Sequence, residues 1–407
     1  MTHTNSGVSG VRFSFAKDLT SYGIYATLDS EVSGMAELVL RGRGTLARLQ
    51  DMMDGLKMRR PLVVAGDRLY GAMKAQTGLA LPQFSGYHPN PDFADCAAGA
   101  AMYRAHACDG LISLGGGSAM DTAKGIKAML LAGGAEEALT YAFSKERIPH
   151  IAIPATAGTG AEATQFAVVY LQGMKHSLSH PALLPEGVLL DAALLDTLPD
   201  YHKRSCAMDA LCQGIESWWA TGATDDSRVH AEAAIRGTLD NILPYLAGDK
   251  AAAEGMMQAS YRSGEAIQIS RTTAAHAMSY RLTHHFGIAH GHACAVTLPV
   301  LWELLLQDEA QASTVRGLSR AMGLADPAQG PRLFRGLMLT IGLDAPLLPS
   351  SAVLDDLASS VNAERLGNHP QRLTQEMLRQ VYVRAMTPLS EAERLACLKA
   401  WNDYARA

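Results

Sequence analysis

The 407-residue sequence has only six cysteines, and no two of them form a CxxC pair or a regular spacing. Disulfide frameworks and thiolate metal sites are both recognised by such spacings. The pattern therefore favours reduced, mostly buried thiols over either of these. Cys212 is accordingly interpreted as a small hydrophobic core residue.

The chain also lacks a strong excess of charge of either sign, with a formal net charge of −5 and a pI near 6.3. These values argue against a general affinity for nucleic acids or anionic membranes. No apolar run reaches the roughly 20 residues that a membrane-spanning helix needs. The N-terminal stretch MTHTNSGVSGVRFSF lacks the apolar core of a signal peptide. We therefore predict a cytoplasmic protein without a nucleic-acid or membrane partner.

What the sequence does have is 48% hydrophobic residues, enough for two domains with substantial cores. Up to about residue 198, short apolar runs alternate with amphipathic patterns, which is typical of a parallel sheet covered by helices. Strands are expected at 60–66, 110–117, 148–158 and 187–195.

Helical patterns rich in Ala, Leu and Met dominate the rest of the chain. They lie at 203–221, 227–247, 250–269, 273–285, 295–307, 312–323, 330–341, 352–361 and 374–385. The predicted fold is an α/β, Rossmann-like N-terminal domain over 1–198, followed by an all-helical C-terminal domain over 199–407. Ligands commonly bind in the cleft between two such domains.

A glycine-rich turn follows the second of these strands, in the stretch LISLGGGSAMDTAK. Glycines allow a close approach of the backbone, and the free amides at a helix N-terminus suit a phosphate. The motif is neither GxGxxG nor a Walker A sequence, so by itself it fits a tight strand–helix turn about as well. Its candidate cofactor residues are Gly115, Gly116, Gly117, Ser118 and Asp121.

A second polar loop, PATAGTGAEAT, follows the next strand and offers Thr156 and Thr159. Two loops that follow consecutive strands are expected to lie side by side at the carboxyl ends of a parallel sheet, where α/β proteins bind dinucleotides. The pair of loops therefore indicates a dinucleotide site more strongly than either loop alone.

Asp209 and Gln213, in CAMDALCQGIESWW, lie four residues apart and so share one face of a helix. The spacing alone fits a solvated pair as well as two oxygen ligands aimed at one point. Downstream, the stretch HAMSYRLTHHFGIAHGHA contains five histidines. His276 is placed on a helix with Tyr280 on the same face, and His290 in a loop. Imidazole together with carboxylate and amide oxygens suits Fe²⁺ or Zn²⁺.

These motifs together resemble the iron-containing (group III) metal-dependent alcohol dehydrogenases over nearly the whole chain. The resemblance rests on the spacing of 14 residues between His276 and His290 and on the stretches GGGSAMDTAK, IPATAGTGAEAT, LLDAALLDTLPDYHKRSCAMDALCQGIES and GNHPQRLTQEML. It implies a dinucleotide-binding α/β domain and a helical domain that carries a divalent metal. It also implies interconversion of aldehyde and alcohol by hydride transfer with NADH or NADPH, and a homodimer.

In this resemblance an aspartate and three histidines hold the metal, and Asp209, His276 and His290 match three of the four positions. Gln213 stands where the pattern DALxH has its histidine, and an amide oxygen is a weaker ligand than imidazole. We expect the metal site to be retained with Gln213 as the fourth ligand. A nucleotide-binding relative that has lost its metal is the alternative.

In such a site the metal acts as a Lewis acid on the carbonyl group, and a separate acid–base group must transfer the proton. Most members of the family have another active-site histidine where this sequence has Tyr280. We expect Tyr280 or His292 to relay the proton, through water or through the ribose of the cofactor.

The combination of DALCQGIESWW with SRTTAAHAMSYRLTHHFGIAHGHA is similar to one branch of the family, the phosphonoacetaldehyde reductases of phosphonate biosynthesis. It implies that a small anionic aldehyde, phosphonoacetaldehyde, is reduced to 2-hydroxyethylphosphonate. An arginine fork with hydroxyl donors suits a phosphonate, and Arg271, Thr272 and Thr273 are the candidates. Arg281 fits a surface ion pair at least as well. Another small aldehyde, such as lactaldehyde, is the alternative substrate.

The end of the strand in LVVAGDRLY bears on the choice between NADH and NADPH. Gly66 stands where NAD-preferring members carry an aspartate that binds the ribose 2′-hydroxyl. Without that carboxylate a 2′-phosphate is tolerated and Arg68 can pair with it, while Asp67 can still bind the ribose. Lys175 completes the candidate cofactor residues.

Overall fold

The computed structural model describes residues 36, 38–143 and 147–406, so the N-terminal stretch in which no signal peptide was expected lies outside the described residues. Within this part of the chain, no helix combines the length and the apolar character that crossing a bilayer requires. The strands are β1 (Leu38–Arg41), β2 (Leu62–Ala65), β3 (Gln83–Phe84), β4 (Leu111–Gly115), β5 (His150–Pro154), β6 (Phe166–Leu171), β7 (Met174–Ser179) and β8 (Gly187–Leu190).

Six of these strands form a parallel sheet in the order β1-β8-β5-β4-β2-β3. Strands β6 and β7 pair antiparallel as a separate hairpin. The four predicted strands correspond to β2, β4, β5 and β8, and all four are fully buried, as in a parallel sheet covered on both faces. The short edge strands and the hairpin were not predicted.

The helices that accompany the sheet are α1 (Leu49–Gly55), α2 (Asp67–Thr77), α3 (Phe93–Ala105), α4 (Gly117–Ala132) and α5 (Ala135–Leu139). Successive strand residues point to opposite faces. Val63 therefore packs with residues of α1 and α2, whereas Leu62 and Val64 pack with residues of α3 and α4. Helices on both faces of the sheet explain why its strands read as continuous apolar runs.

Beyond β8 the described residues contain helices and no strand. They are α6 (Asp200–Trp219), α7 (Asp225–Leu246), α8 (Lys250–Ser270), α9 (Ala274–Phe286), α10 (His290–Leu306), α11 (Ala312–Ala321), α12 (Gln329–Thr340), α13 (Ser351–Ser359), α14 (Ala363–Leu366), α15 (Gln375–Met386) and α16 (Glu391–Tyr404). The predicted fold class, a parallel α/β half followed by an all-helical half, is confirmed.

The sheet half and the helical half touch at backbone level beside the loop that follows β5. A Cβ atom added to Gly264 of α8 would lie 2.3 Å from the carbonyl oxygen of Gly160, and Gly160 itself has a φ of 59°. Only glycine fits both positions, because any side chain would overlap the opposite backbone. The loop and α8 are therefore in direct contact, with no side chain between them.

His369 is a buried histidine, 4% exposed, whose two ring nitrogens have no hydrogen-bond partner within the described residues. Its ring meets Trp219 edge-on, with centroids 6.4 Å apart. Burial lowers the pKa of His369 to about 4. The folded protein thus favours the neutral ring of His369. The stability of the folded state that depends on this neutral ring is fully present above the unfolded pKa of about 6.5 and is lost as the pH falls toward 4.

We expect His369→Leu to weaken the acid sensitivity of the metal-free protein. Between pH 6.5 and 4.5, the wild type should lose about 2–3 kcal/mol more free energy of unfolding than the variant. Urea denaturation across this pH range measures the difference. The exposed His106, replaced by glutamine, is the matched control and should follow the wild type. If the free energy of unfolding of the wild type and of His369→Leu changed equally with pH, His369 would not be a source of the acid sensitivity.

Candidate metal and cofactor site

Four side chains from three helices converge where α6, α9 and α10 meet. Asp209, His276, His290 and Cys294 each offer one ligand atom, and these atoms lie within 4.8 Å of one another. Asp209 Oδ1 lies 3.3 Å from His276 Nε2 and 3.9 Å from His290 Nε2, and Cys294 Sγ lies 3.7 Å from His290 Nε2. The corners of a tetrahedron around a metal bound at 2.0–2.3 Å are roughly 3.3–3.8 Å apart. The spacing therefore suits a single metal ion.

Helix α10 brings two of these residues to the cluster, since His290 and Cys294 lie one turn apart on the same face. The prediction of a loop at His290 is wrong, because α10 begins at this residue. Gly291, read in the sequence as part of that loop, is a packing residue: an added Cβ would lie 2.0 Å from Ser205 O and 2.6 Å from Asp209 Cβ. The missing side chain lets α10 approach α6 closely enough for His290 to reach Asp209.

The cluster contains buried polar atoms whose bonding capacity is not filled. Asp209 Oδ1 and His276 Nε2 are both buried, and although they lie 3.3 Å apart, neither makes a hydrogen bond of good geometry within the described part of the chain. Burying such atoms costs free energy of folding unless they form hydrogen bonds or bind a metal ion. A divalent cation would do so, and a carboxylate, two imidazoles and a thiol are suitable donors for iron or zinc.

The charges in the cluster also fit a cation. Burial opposes ionisation of Asp209, yet the imidazoles of His290 and His276 hold its pKa below the ordinary value. Burial likewise opposes ionisation of Cys294, but the same two imidazoles lower the pKa of this thiol to about 7. Near neutral pH the cluster can therefore present one carboxylate and one thiolate.

Glu216 orients His276 from behind, and sequence reasoning missed it. Its carboxylate contacts His276 Nδ1 and also accepts from the Thr273 amide at 3.0 Å, the Thr273 hydroxyl at 2.6 Å and the Ala275 amide at 2.9 Å. A partner on Nδ1 fixes the imidazole and directs Nε2 to the cluster. The available signal was its position, seven residues after Asp209 and thus two turns along the same face of α6.

Gln213, the expected fourth ligand, makes other contacts in the structure. Its amide group donates to Thr159 O at 3.1 Å, and its carbonyl oxygen accepts from Ser263 Oγ at 2.8 Å. The side chain lines the same cavity but holds the loop after β5 against α8. Gln213 as a metal ligand stays a prediction, and the thiol of Cys294 is a second candidate for the fourth position.

Two further expected site residues are engaged elsewhere. The Thr273 hydroxyl donates to Glu216 and accepts from Trp219 Nε1 at 3.1 Å, so it has no donor left for a substrate. His292 contacts the Tyr201 hydroxyl through Nδ1 at 3.2 Å and Asp344 O through Nε2 at 3.0 Å. The substrate role of Thr273 and the proton relay by His292 stay predictions, and the side chains would have to give up these contacts to fulfil them.

The cluster opens into a cavity of about 540 Å³ that also reaches the glycine-rich turn. Twelve residues singled out from the sequence line it: Gly117, Ser118, Asp121, Thr159, Lys175, Asp209, Gln213, Arg271, Thr272, His276, Tyr280 and His290. Tyr280 stacks on His290, with ring centroids 5.9 Å apart and planes inclined by 17°. Arg365 and Asn368 line the cavity as well and were not singled out.

The two loops expected to lie side by side do so. The Ala155 amide donates to Gly115 O at 2.8 Å. A Cβ added to Gly116 would lie 3.2 Å from Thr156 Cγ2, and one added to Gly117 would lie 3.3 Å from Thr159 Cγ2. Helix α4 begins at Gly117, so its free amides stand beside both loops, where a phosphate can bind.

The residues expected to determine the preference for NADH or NADPH follow β2, the neighbour of β4 in the sheet. Gly66 precedes α2 and Asp67 is its first residue. The Asp67 carboxylate accepts from Gln83 Nε2 at 2.9 Å, and Arg68 Nη1 donates to Thr197 Oγ1 at 2.5 Å. Both side chains are exposed, so Arg68 can exchange its hydrogen bond to the neutral Thr197 hydroxyl for one to the 2′-phosphate of NADPH.

Comparison with known proteins agrees with this architecture. Residues 36–192 match the family model described as iron-containing alcohol dehydrogenase, and residues 204–386 match the model of the C-terminal region of the Fe-containing alcohol dehydrogenase family. The solved sulfoacetaldehyde reductase from Bifidobacterium kashiwanohense, in complex with NAD+, superposes with a TM-score of 0.78 at 26% identity and covers 86% of this chain and 96% of that one.

Two curated relatives match in part. The probable alcohol dehydrogenase EutG of Salmonella typhimurium is 34% identical over 56% of this chain and 59% of its own length. The phosphonoacetaldehyde reductase of Streptomyces viridochromogenes is 36% identical over 52% of this chain and 57% of its own length. The chain thus spans little more than half the length of these relatives.

Proposed function

Since the chain belongs to the iron-containing alcohol dehydrogenase family, we propose that it reduces phosphonoacetaldehyde to 2-hydroxyethylphosphonate with NADPH or NADH. The observation that carries this proposal is the cavity that Asp209, His276 and His290 of the cluster share with the glycine-rich turn at Gly117. A carbonyl group at the cluster would therefore lie next to a dinucleotide at the turn. Both reductases named above act on two-carbon aldehydes that carry an anionic group.

We assign the four clustered residues as metal ligands, with Cys294 in place of Gln213. A bound divalent cation supplies Lewis acidity toward a carbonyl oxygen, and the reduced dinucleotide supplies the hydride. Asp209 and Cys294 would contribute the negative charge that holds the cation, and Glu216 would keep Nε2 of His276 directed at it.

The dinucleotide is assigned to the loops at the carboxyl ends of β4 and β5, with its phosphates at the amides of α4. The cavity residues Ser118, Asp121 and Thr159 would contact it. Cytoplasmic location and a homodimer stay predictions from the sequence, as does the domain boundary near residue 198.

The product alcohol requires one proton, and Tyr280 is the group we assign to deliver it. Burial raises the pKa of Tyr280, so its hydroxyl stays protonated at neutral pH and can donate. Tyr280 lines the cavity, and its ring stacks on His290. Tyr280→Phe should therefore lower kcat for reduction without a matching loss of bound metal, which stopped-flow kinetics with metal analysis can check.

The proposal is tested with protein reconstituted with Fe²⁺ or Zn²⁺, by following oxidation of NADPH and NADH with phosphonoacetaldehyde, lactaldehyde and propanal. A higher kcat/KM for phosphonoacetaldehyde than for the uncharged aldehydes is the expected result. A preference for lactaldehyde would change the assigned substrate and leave the assigned type of reaction unchanged. A protein that binds no metal and shows no turnover would refute the reductase assignment.

Arg68→Ala should raise KM for NADPH about 10- to 100-fold and leave KM for NADH nearly unchanged, because a charge-assisted bond to the 2′-phosphate contributes about 1.5–3 kcal/mol. The measurement is kcat/KM with each dinucleotide at saturating aldehyde. Arg59→Ala, which removes another exposed arginine, is the control. A wild type with a strong preference for NADH would refute the role of Arg68.

A further inference from the structure

Arg365 reaches the cavity from the short helix α14 and was not expected there. Its Nη1 donates to Thr272 Oγ1 at 3.0 Å, and its guanidinium carbon lies 5.6 Å from the centroid of the Tyr280 ring. Within the described residues, no ion pair joins it to a carboxylate. A guanidinium has five N–H donors, so four remain after the bond to Thr272.

The ring of Tyr280 lies between Arg365 and the metal cluster. Tyr280 contacts Arg365 and also stacks on His290, a member of the cluster. A molecule whose carbonyl lies at the cluster would thus meet the guanidinium within the length of a short chain. Such a molecule needs an anionic group close to its aldehyde.

A second basic group lies at the same ring. Lys175 Nζ lies 2.9 Å from the centroid of Tyr280 and, within the described residues, has no hydrogen-bond partner although it is buried. Burial, together with repulsion from Arg365, lowers the pKa of Lys175 to about 6. An anion bound between the two groups would relieve that repulsion and accept hydrogen bonds from both.

Arg271, the residue expected to bind the phosphonate, faces the β6–β7 hairpin. Its guanidinium carbon lies 5.1 Å from the centroid of the Phe166 ring, and Nη2 donates to Ser179 Oγ at 3.4 Å. The side chain is exposed, whereas Arg365 is half-buried beside Tyr280. A half-buried arginine is less screened by water and binds an anion more strongly.

We propose that Arg365, held by Thr272, binds the anionic group of the aldehyde and selects charged substrates over uncharged ones. The inference rests on the proposed function, because it needs the carbonyl to lie at the metal cluster. It assigns to Arg365 the task that the sequence had given to Arg271, and it keeps Thr272 as a positioning residue.

The test compares Arg365→Ala, Arg365→Lys and Arg271→Ala in the metal-loaded enzyme, with Arg281→Ala as a matched control. Arg281 follows Tyr280 but pairs with Asp356 at 2.8 Å on the surface. Arg365→Ala should raise KM for phosphonoacetaldehyde about 10- to 100-fold and change kcat/KM for propanal less than about threefold. Arg365→Lys should restore part of the loss, since a lysine keeps the charge but not the fork.

Inhibition of propanal reduction by ethylphosphonate gives a second measurement that does not require turnover of the charged aldehyde. Its inhibition constant should rise in Arg365→Ala and stay unchanged in Arg281→Ala. Equal losses with both aldehydes, or a loss confined to Arg271→Ala, would overturn the assignment of Arg365. A wild type that reduces propanal but not phosphonoacetaldehyde would overturn the proposed function, while the inhibition series would still decide the role of Arg365.

Discussion

Cys294→Ser is expected to lower the affinity for a divalent cation by roughly 10²- to 10³-fold. A four-ligand zinc site contributes about 10–16 kcal/mol in total, so one ligand accounts for roughly 3–4 kcal/mol. Serine keeps the shape of the side chain, but its hydroxyl does not ionise near pH 7, and the cluster would lose one of its two negative charges. Competition with a chelator measures the affinity directly, and reductase activity should fall in parallel at limiting metal.

Cobalt substitution separates a lost ligand from a general disturbance. A thiolate bound to Co²⁺ gives an intense near-ultraviolet charge-transfer absorption, which Cys294→Ser should remove. Cys397→Ser, at a buried cysteine of α16, should keep that absorption and the wild-type affinity. Gln213→Ala should also keep the absorption. If cobalt-loaded wild type lacked this absorption and Gln213→Ala lowered the metal affinity while Cys294→Ser did not, the glutamine, and not the cysteine, would complete the site.

Glu216→Ala is expected to destabilise the metal-free protein by about 3–5 kcal/mol. The buried carboxylate accepts hydrogen bonds from Thr273 and Ala275 and contacts His276, so its removal leaves several buried donors without an acceptor. Metal affinity should fall by a further 10- to 100-fold when measured on the folded protein, because His276 is no longer oriented. Urea denaturation and chelator competition measure the two effects separately.

Glu216→Gln distinguishes these two effects. The amide oxygen can still accept from Thr273, so about half of the stability should return while the affinity for metal stays reduced. Glu265→Ala is the matched control, since Glu265 is also a buried carboxylate and pairs with Arg262 at 2.8 Å. It should lower stability and leave metal affinity at the wild-type value. If Glu216→Ala bound metal as tightly as Glu265→Ala, the orienting role would be refuted.

Local patterns in the sequence were sufficient for the main elements of the fold. The runs at β2, β4, β5 and β8 were recognised because strands buried on both faces are apolar throughout. The hairpin β6–β7 was missed, since MKHSLS has neither an apolar run nor clear alternation. Helix α16 was missed as well, because the polar and charged residues of EAERLACLKAWNDY hide its two buried positions, Cys397 and Trp401.

The site was predictable only in part, because three separate helices build it. Asp209, His276 and His290 followed from motifs, whereas Cys294 was dismissed for lack of a CxxC spacing. That spacing describes ligands on one short loop, and it does not apply when a cysteine joins ligands from other helices. The usable signal was the four-residue interval from His290, which became a shared face only because α10 begins at His290. Arg365 gave no local signal at all.

The backbone contact between Gly160 and Gly264 limits how the enzyme can admit its ligands. A hinge needs residues that can change their dihedral angles without losing packing, and two backbones in direct contact leave no such freedom. We therefore expect ligands to enter past the walls farther from that contact, which include the β6–β7 hairpin and the segment around Arg365 and Asn368. The rate at which product leaves would then depend on the part of the chain that also recognises the charge of the substrate.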